Sequence, residues 1–287
     1  MTYEKTKSVL QDHGLAAHKK LGQNFLVHRH TAERIVELAG LKQDDTITEV
    51  GVGLGALTNP IAARVKQVIG IEADSGLVYW HLEQHDLADN VSLIHADILK
   101  TDLVKLAEQS GGRLKILANL PYSISSPFLF RLIDHREHVE WAVVMLQKEV
   151  AHRLMAGPGT KTYGVPSVLF AGCTSIEPVM NVKPGEFYPQ PKVDSMVIRI
   201  TFHPLPERLV NVPDFDWSLL KKIVRSCFSQ RRKTLLNGLA SGGFITDKKL
   251  LAEIIERAGI TPSIRAEQLS FEQFVKLSIC LKKKLPQ

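Results

Sequence analysis

Between residues 46 and 146 short apolar runs alternate with amphipathic stretches. The runs at 46–50, 67–71, 91–95, 115–118 and 141–146 are rich in Val, Ile and Leu and have the length of buried strands. Helical periodicity fills the spaces between them, at 57–65, 75–84, 103–109 and 125–133. An earlier amphipathic helix, 31–39, is stopped by Gly40. Such alternation predicts a parallel sheet with helices on both faces. The rhythm breaks after Lys148. Gly157-Pro158-Gly159-Thr160-Lys161 is a loop, 165–171 a helix, and 175–182 and 196–202 are two more strands, which makes seven. The connection 183–191 (KPGEFYPQP) has no room for a crossover helix, so those two strands form an antiparallel closing pair. His203-Pro204-Leu205-Pro206 reads as a hinge. From Asp216 onward the pattern is helical, with stops at Gly238, Gly242-Gly243, Gly259 and Pro262. Three regions follow: a polar, basic arm (1–30), an α/β domain (31–203) and a small all-α domain (204–287).

Composition narrows this picture. A chain of 287 residues with 44% hydrophobic content can bury a sizeable core. No apolar run approaches a membrane span, and the start, MTYEKTKSVL, lacks the apolar region of a signal peptide. Cys173, Cys227 and Cys280 are odd in number and far apart, which predicts neither a disulfide framework nor a metal site and fits a reducing cytoplasm. The histidines form no helical pair with a carboxylate partner, and His28 and His30 are expected on the surface, on different faces. Net charge is +6, unevenly spread. Residues 203–287 hold 15 Lys+Arg against 8 Asp+Glu, and residues 1–30 hold 5 against 2. Residues 31–202 hold 16 against 20. Basic ends flanking an acidic middle suit a polyanion held beside a catalytic domain.

The candidate chemistry lies at the carboxyl ends of the strands. Glu49-Val50-Gly51-Val52-Gly53-Leu54-Gly55 joins a strand to a helix, where Gly51 and Gly53 let backbone approach a ligand closely. Glu72 ends the second strand and can accept both hydroxyls of a ribose. The spacing G-x-G-x-G, with Ala56 where a dinucleotide fingerprint has its third glycine, does not by itself exclude NAD. Asp97, after the third strand, can accept an adenine amine, and the Ile98 N–H can meet a ring nitrogen. The ordered set of acids favours S-adenosylmethionine over NAD. Asn119-Leu120-Pro121-Tyr122 follows the fourth strand. The Asn119 amide oxygen and the Leu120 or Pro121 carbonyl can accept both hydrogens of an exocyclic amine while Tyr122 stacks on its ring. Taken alone, the same four residues also make an ordinary strand end with a Pro-Tyr turn.

With these residues in view, the sequence resembles the bacterial small-subunit ribosomal RNA adenine dimethyltransferases, the KsgA/RsmA family, over nearly its whole length. The resemblance is carried by Leu21-Gly22-Gln23-Asn24-Phe25-Leu26, by Gly55-Ala56-Leu57-Thr58 and by Asn119-Leu120-Pro121-Tyr122-Ser123-Ile124-Ser125. It continues in Gln147-Lys148-Glu149-Val150, in Pro158-Gly159-Thr160-Lys161 and from Phe187 to Ser195. Phe228-Ser229-Gln230-Arg231-Arg232-Lys233-Thr234-Leu235 completes it; this segment and the one ending at Ser195 are the most specific. Val52 departs from the proline frequent in the family. The resemblance implies a Rossmann-like methyltransferase fold with a mostly parallel seven-stranded sheet and an all-α carboxy-terminal RNA-binding domain. It implies that Asn24, Leu26, Gly51, Glu72, Asp97 and Asn119 border S-adenosylmethionine, and that Tyr122 and Phe187 sandwich the target adenine. Arg231, Arg232 and Lys233 are the best candidates for phosphate contacts. The implied substrate is 16S rRNA in the small ribosomal subunit or its precursor, with two neighbouring adenosines near the 3′ end dimethylated at N6. A cytoplasmic monomer with a role in subunit biogenesis is expected. Two other readings stay open: a large-subunit rRNA adenine methyltransferase of the resistance type, and a non-catalytic ribosome-assembly or RNA-binding factor.

Overall fold

The computed structural model describes residues 3–13, 23–203 and 215–284. Leu21-Gly22 and the expected hinge from Pro204 lie outside them. In chain order the elements are α1 (Tyr3–Asp12), β1 (Phe25–Leu26), α2 (Arg29–Leu38), β2 (Thr46–Val50), α3 (Thr58–Ala62), β3 (Gln67–Glu72) and α4 (Ser75–Gln84). Next come β4 (Val91–His95), α5 (Leu103–Gln109), β5 (Leu114–Asn119), α6 (Tyr122–Asp134), β6 (Val139–Gln147), α7 (Lys148–Leu154) and α8 (Val165–Cys173). The last are β7 (Thr174–Val182), β8 (Phe187–Tyr188), β9 (Ser195–Phe202), α9 (Trp217–Ser229), α10 (Leu235–Ser241), α11 (Lys248–Arg257) and α12 (Phe271–Lys282).

Two compact units result: residues 1–151 with 175–204, and residues 152–174 with 205–287. The first is built on a seven-stranded sheet of order β4-β3-β2-β5-β6-β9-β7. The pairs β2–β3, β2–β5, β3–β4 and β5–β6 are parallel, and β9 runs antiparallel to β6. Chain order moves outward from β2 to β4, then returns to β5 on the other side of β2. The sheet therefore changes direction between β2 and β5, and a crevice opens there at the strand ends. On one face Ile35 and Val36 of α2 and Ile61 of α3 pack over Ile47, Val68, Leu117 and Val143. Helix starts are set locally: Asp74 caps α4 by accepting from Gly76 and Leu77 N–H at 2.9 and 3.4 Å. Helix α6 begins at Tyr122, three residues before the expected start, because Pro121 presets the N-cap and Pro127 is carried inside the helix. Helix α3 is shorter than the expected 57–65.

The second unit takes in residues 152–174, which the sequence pattern attached to the α/β domain. The cause is α8, whose Val168, Leu169, Phe170 and Cys173 are all buried, against α9 and α12. A helix apolar on nearly every side needs neighbours all round. Gly172 gives Phe271 room; a Cβ there would stand 2.2 Å from the ring. Asp216, Thr234, Asp247 and Ser270 cap α9 to α12, and Ser270 forms a reciprocal box with Gln273.

Candidate active site

The parallel registers bring three strand ends to one level. Val50 pairs with Ile71 and with Ala118, so the glycine loop, Glu72 and Asn119 emerge side by side. Two adjoining cavities open there. The larger, about 330 Å³, is lined by Glu72, Asp97, Ile98, Leu99 and Ile124. The smaller, about 50 Å³, is lined by Asn24, Phe25, Gly53 and Asn119. Gln23, Gly51, Glu72 and Pro121 border both.

The walls are tightly bonded. Glu72, 5% exposed, accepts the Gly53 N–H and the Asp74 N–H, each at 2.9 Å, one per carboxylate oxygen. Burial raises its pKa above the ordinary carboxylate value, and the two backbone bonds oppose the rise. Gly51, Gly53 and Gly55 have φ of 79°, 59° and 74°, a left-handed path that glycine takes without strain. Asp97 accepts the Leu99 N–H at 2.9 Å. Below the loop Glu49 is fully buried, and among the described residues neither of its oxygens nor the Thr58 hydroxyl has a hydrogen-bond partner. Burial drives its pKa up to about 8; proximity to the Thr58 hydroxyl opposes the rise and Glu72 adds to it.

Asn119 donates from Nδ2 to the Asn24 carbonyl at 3.0 Å. Because a carbonyl only accepts, this bond fixes which end of the amide is which and leaves Oδ1 as an acceptor. The Pro121 carbonyl already accepts from Ile124 N–H at 3.1 Å and from the Ser125 hydroxyl at 3.2 Å. Tyr122 is half-buried, and its hydroxyl bonds Ser195 Oγ at 2.7 Å. Burial raises the phenol pKa. Asn24 is held by β1, which pairs antiparallel with β8 (Phe25 with Tyr188, Leu26 with Phe187). Two segments some 160 residues apart, both singled out by the resemblance, thus form one two-stranded sheet.

That pairing turns two of the expected site residues toward the core. Successive strand residues face opposite ways, so Phe25 lines the small cavity while Leu26 turns into the core, 4% exposed. Phe187, opposite Leu26, is 1% exposed in the same cluster, so it offers no free face for a base. It anchors the proline-rich connection instead. Arg231 is also committed: its Nη2 donates to the Lys161 and Tyr163 carbonyls at 2.8 and 2.9 Å, holding the loop before α8. Arg232 and Lys233 are exposed and make no ion pair among the described residues. His28 and His30 come closer than expected, with ring centroids 5.5 Å apart, because His28 is an extended N-cap rather than helical. Leu120 is buried, with only its backbone available for a polar role. Gln23, Glu49 and His81 also stand at these walls, beyond the residues expected from sequence; of the three only Gln23 carries a sequence signal, as part of the Leu21 to Leu26 segment. No group of three or more His, Cys, Asp or Glu among the described residues is arranged to hold a metal.

A sequence profile for the family described as "Ribosomal RNA adenine dimethylase" matches residues 14–283. The chain belongs to this family. A protein named "Ribosomal RNA small subunit methyltransferase A" from Desulfotalea psychrophila is 50% identical over 285 residues, 96% of this chain and 95% of that protein. One of the same name from Bacillus mycoides is 40% identical over 285 residues, 98% of this chain and 96% of that protein. The crystal structure of a dimethyladenosine transferase from Plasmodium falciparum matches with a TM-score of 0.71 and 27% identity, covering 91% of this chain and 98% of that one. The 23S rRNA methyltransferase ErmE shares the fold, with a TM-score of 0.63 at 24% identity over 90% of this chain and 100% of that one. As a ribosomal RNA adenine dimethylase the chain is an enzyme, with the mostly parallel methyltransferase sheet and helical carboxy-terminal region expected of it. No helix among the described residues is long and apolar enough to cross a membrane.

Proposed function

We propose that the protein transfers methyl groups from S-adenosylmethionine to N6 of two adjacent adenosines near the 3′ end of 16S rRNA, dimethylating each. It does so as a cytoplasmic monomer and serves small-subunit biogenesis. The observation that carries this reading is the fixed amide of Asn119 at the edge of a cavity that also meets Glu72 and Gly51.

The residues present fit the cofactor. Each Glu72 oxygen has accepted one backbone bond and keeps a lone pair for a ribose hydroxyl. At Gly51 a Cβ would stand 3.7 Å from the Asn119 carbonyl and fill space that the backbone leaves to a ligand. Asp97 and Ile98 offer an acceptor and a donor to an adenine edge in the larger cavity. Bound there, S-adenosylmethionine supplies an electrophilic methyl carbon on a sulfonium sulfur.

The chain's own residues prepare the acceptor. The N6 lone pair of adenine is delocalised into its ring. Asn119 Oδ1 accepts one N6 hydrogen, and the Leu120 carbonyl accepts the other; the Pro121 carbonyl is already occupied. Two acceptors aimed at one amine localise its lone pair and direct it, so positioning is the main contribution to rate. No strong base is needed first, because the amine becomes acidic only once methylated. An adenine must leave its stack to reach the site, at a cost of a few kcal/mol. Stacking on Tyr122, worth about 1–3 kcal/mol, offsets that cost. Arg232 and Lys233 supply phosphate contacts.

The test is methyl transfer from labelled cofactor to purified small subunits lacking the modification, followed by mapping of the product. Purified large subunits serve as the comparison. Two dimethylated neighbours in small-subunit RNA are expected. Transfer only to large subunits, or none to either, would refute the proposal. Asn119→Ala should retain cofactor and RNA binding while losing turnover, which separates catalysis from a purely assembly role.

A further inference from the structure

One buried titratable group beside the loop is unused by the chemistry above. His81, on α4, is 3% exposed. Its Nδ1 lies 2.7 Å from Asp86 Oδ1 and its Nε2 lies 2.9 Å from the Gly53 carbonyl oxygen. A carboxylate and a carbonyl both only accept. A neutral imidazole has one N–H and cannot serve both. Both contacts form only if the pair holds one proton more than a neutral ring and a carboxylate. The Gly53 residue is thereby gripped on both sides, its N–H by Glu72 and its carbonyl by His81. The ring also lies against Gly55, where a Cβ would stand 3.4 Å from its Cε1.

We propose that His81 is a positioning residue for cofactor binding: held by Asp86, its ring fixes the Gly53 carbonyl and so sets the glycine loop at the cavity wall. The inference rests on the cavity being the S-adenosylmethionine site. Charged or titratable groups around the ring are Asp86 beyond α4, Glu72 across the Gly53 residue, and His13 behind Trp80, whose ring is 6.4 Å from it. Asp86 also borders a cavity rimmed by Arg29 and Arg64. Glutamine at position 81 can donate to the same carbonyl, whereas leucine fills similar space and donates nothing.

The experiment measures the Kd of S-adenosylmethionine by calorimetry for the full wild-type chain, His81→Gln and His81→Leu at one pH. His81→Leu should bind about three- to tenfold more weakly than wild type, the worth of one hydrogen bond, and His81→Gln should stay within about threefold of it. His81→Leu inside that threefold limit, or His81→Gln beyond it, would overturn the proposal. Hydrogen exchange of the glycine-loop amides without cofactor gives a second readout. Exchange should quicken in His81→Leu and not in His81→Gln. Equal exchange in all three proteins would overturn it independently. If wild type binds no S-adenosylmethionine, the proposed function falls, and the exchange rates alone decide the role of His81.

Discussion

Glu49 provides a quantitative test of the packing beneath the glycine loop. Its carboxyl is fully buried and unbonded, and its pKa rises from 4.5 to about 8, chiefly through burial. A group whose folded pKa exceeds its unfolded value binds its proton more tightly when folded. Its contribution is therefore complete below pH 4.5 and is lost as pH climbs toward 8. Each pH unit inside that window removes about 1.4 kcal/mol. Glu49→Gln puts an uncharged group of the same shape in the pocket and removes this titration. Between pH 5.5 and pH 7.5 the wild type should lose about 2–3 kcal/mol relative to the variant. At roughly 2–4 °C per kcal/mol for a unit of this size, the variant should gain about 5–10 °C on the wild type over that interval. Thermal unfolding of both proteins in matched buffers measures the difference; titrating groups that do not interact with Glu49 cancel, and Glu72 is the neighbour that does interact. A variant-minus-wild-type difference that stays constant from pH 5.5 to pH 7.5 would show that Glu49 does not titrate in this window and would refute the reasoning.

Other expectations follow from single contacts. Gly172→Ala places a Cβ 2.2 Å from the Phe271 ring, so urea unfolding of the second unit should show a loss of about 1–3 kcal/mol. Phe187→Ala should cost about 3–5 kcal/mol of stability as a core truncation, whereas Phe187→Leu should fold and methylate nearly normally. A selective loss of RNA affinity in Phe187→Leu would restore the ring to the base site. Asn119→Ala should lower kcat about 100-fold or more with little change in cofactor Kd, measured by single-turnover methylation. Arg232→Ala with Lys233→Ala should weaken RNA binding and reduce the slope of log affinity against log salt by about two, one per lost phosphate contact. An unchanged slope would remove both residues from the interface.

Much of this protein is legible in its sequence, because local rules govern those parts. The strand at 46–50 and the helices at 75–84 and 103–109 end where the pattern says they should. Their apolar period and their caps, Asp74 and Asp102, are properties of neighbouring residues. The parallel sheet follows from the alternation of elements, and the acids Glu72 and Asp97 are legible as strand-end residues facing a common crevice. The side chains that meet across the chain are not legible in this way. Leu26 and Phe187 read as site residues, but their orientation was decided by a strand pair joining positions 26 and 187, which sends one face of each strand into the core. Arg231 reads as a phosphate ligand until its loop carbonyls are seen. His81 and Asp86 are five residues apart across a helix end, a spacing with no periodic signature, and Gly53 joins them only through the fold. Sequence alone determined the elements and their chemistry, since both depend on near neighbours. Tertiary structure decided which groups face the ligand and which are already bonded, since that depends on contacts between distant residues.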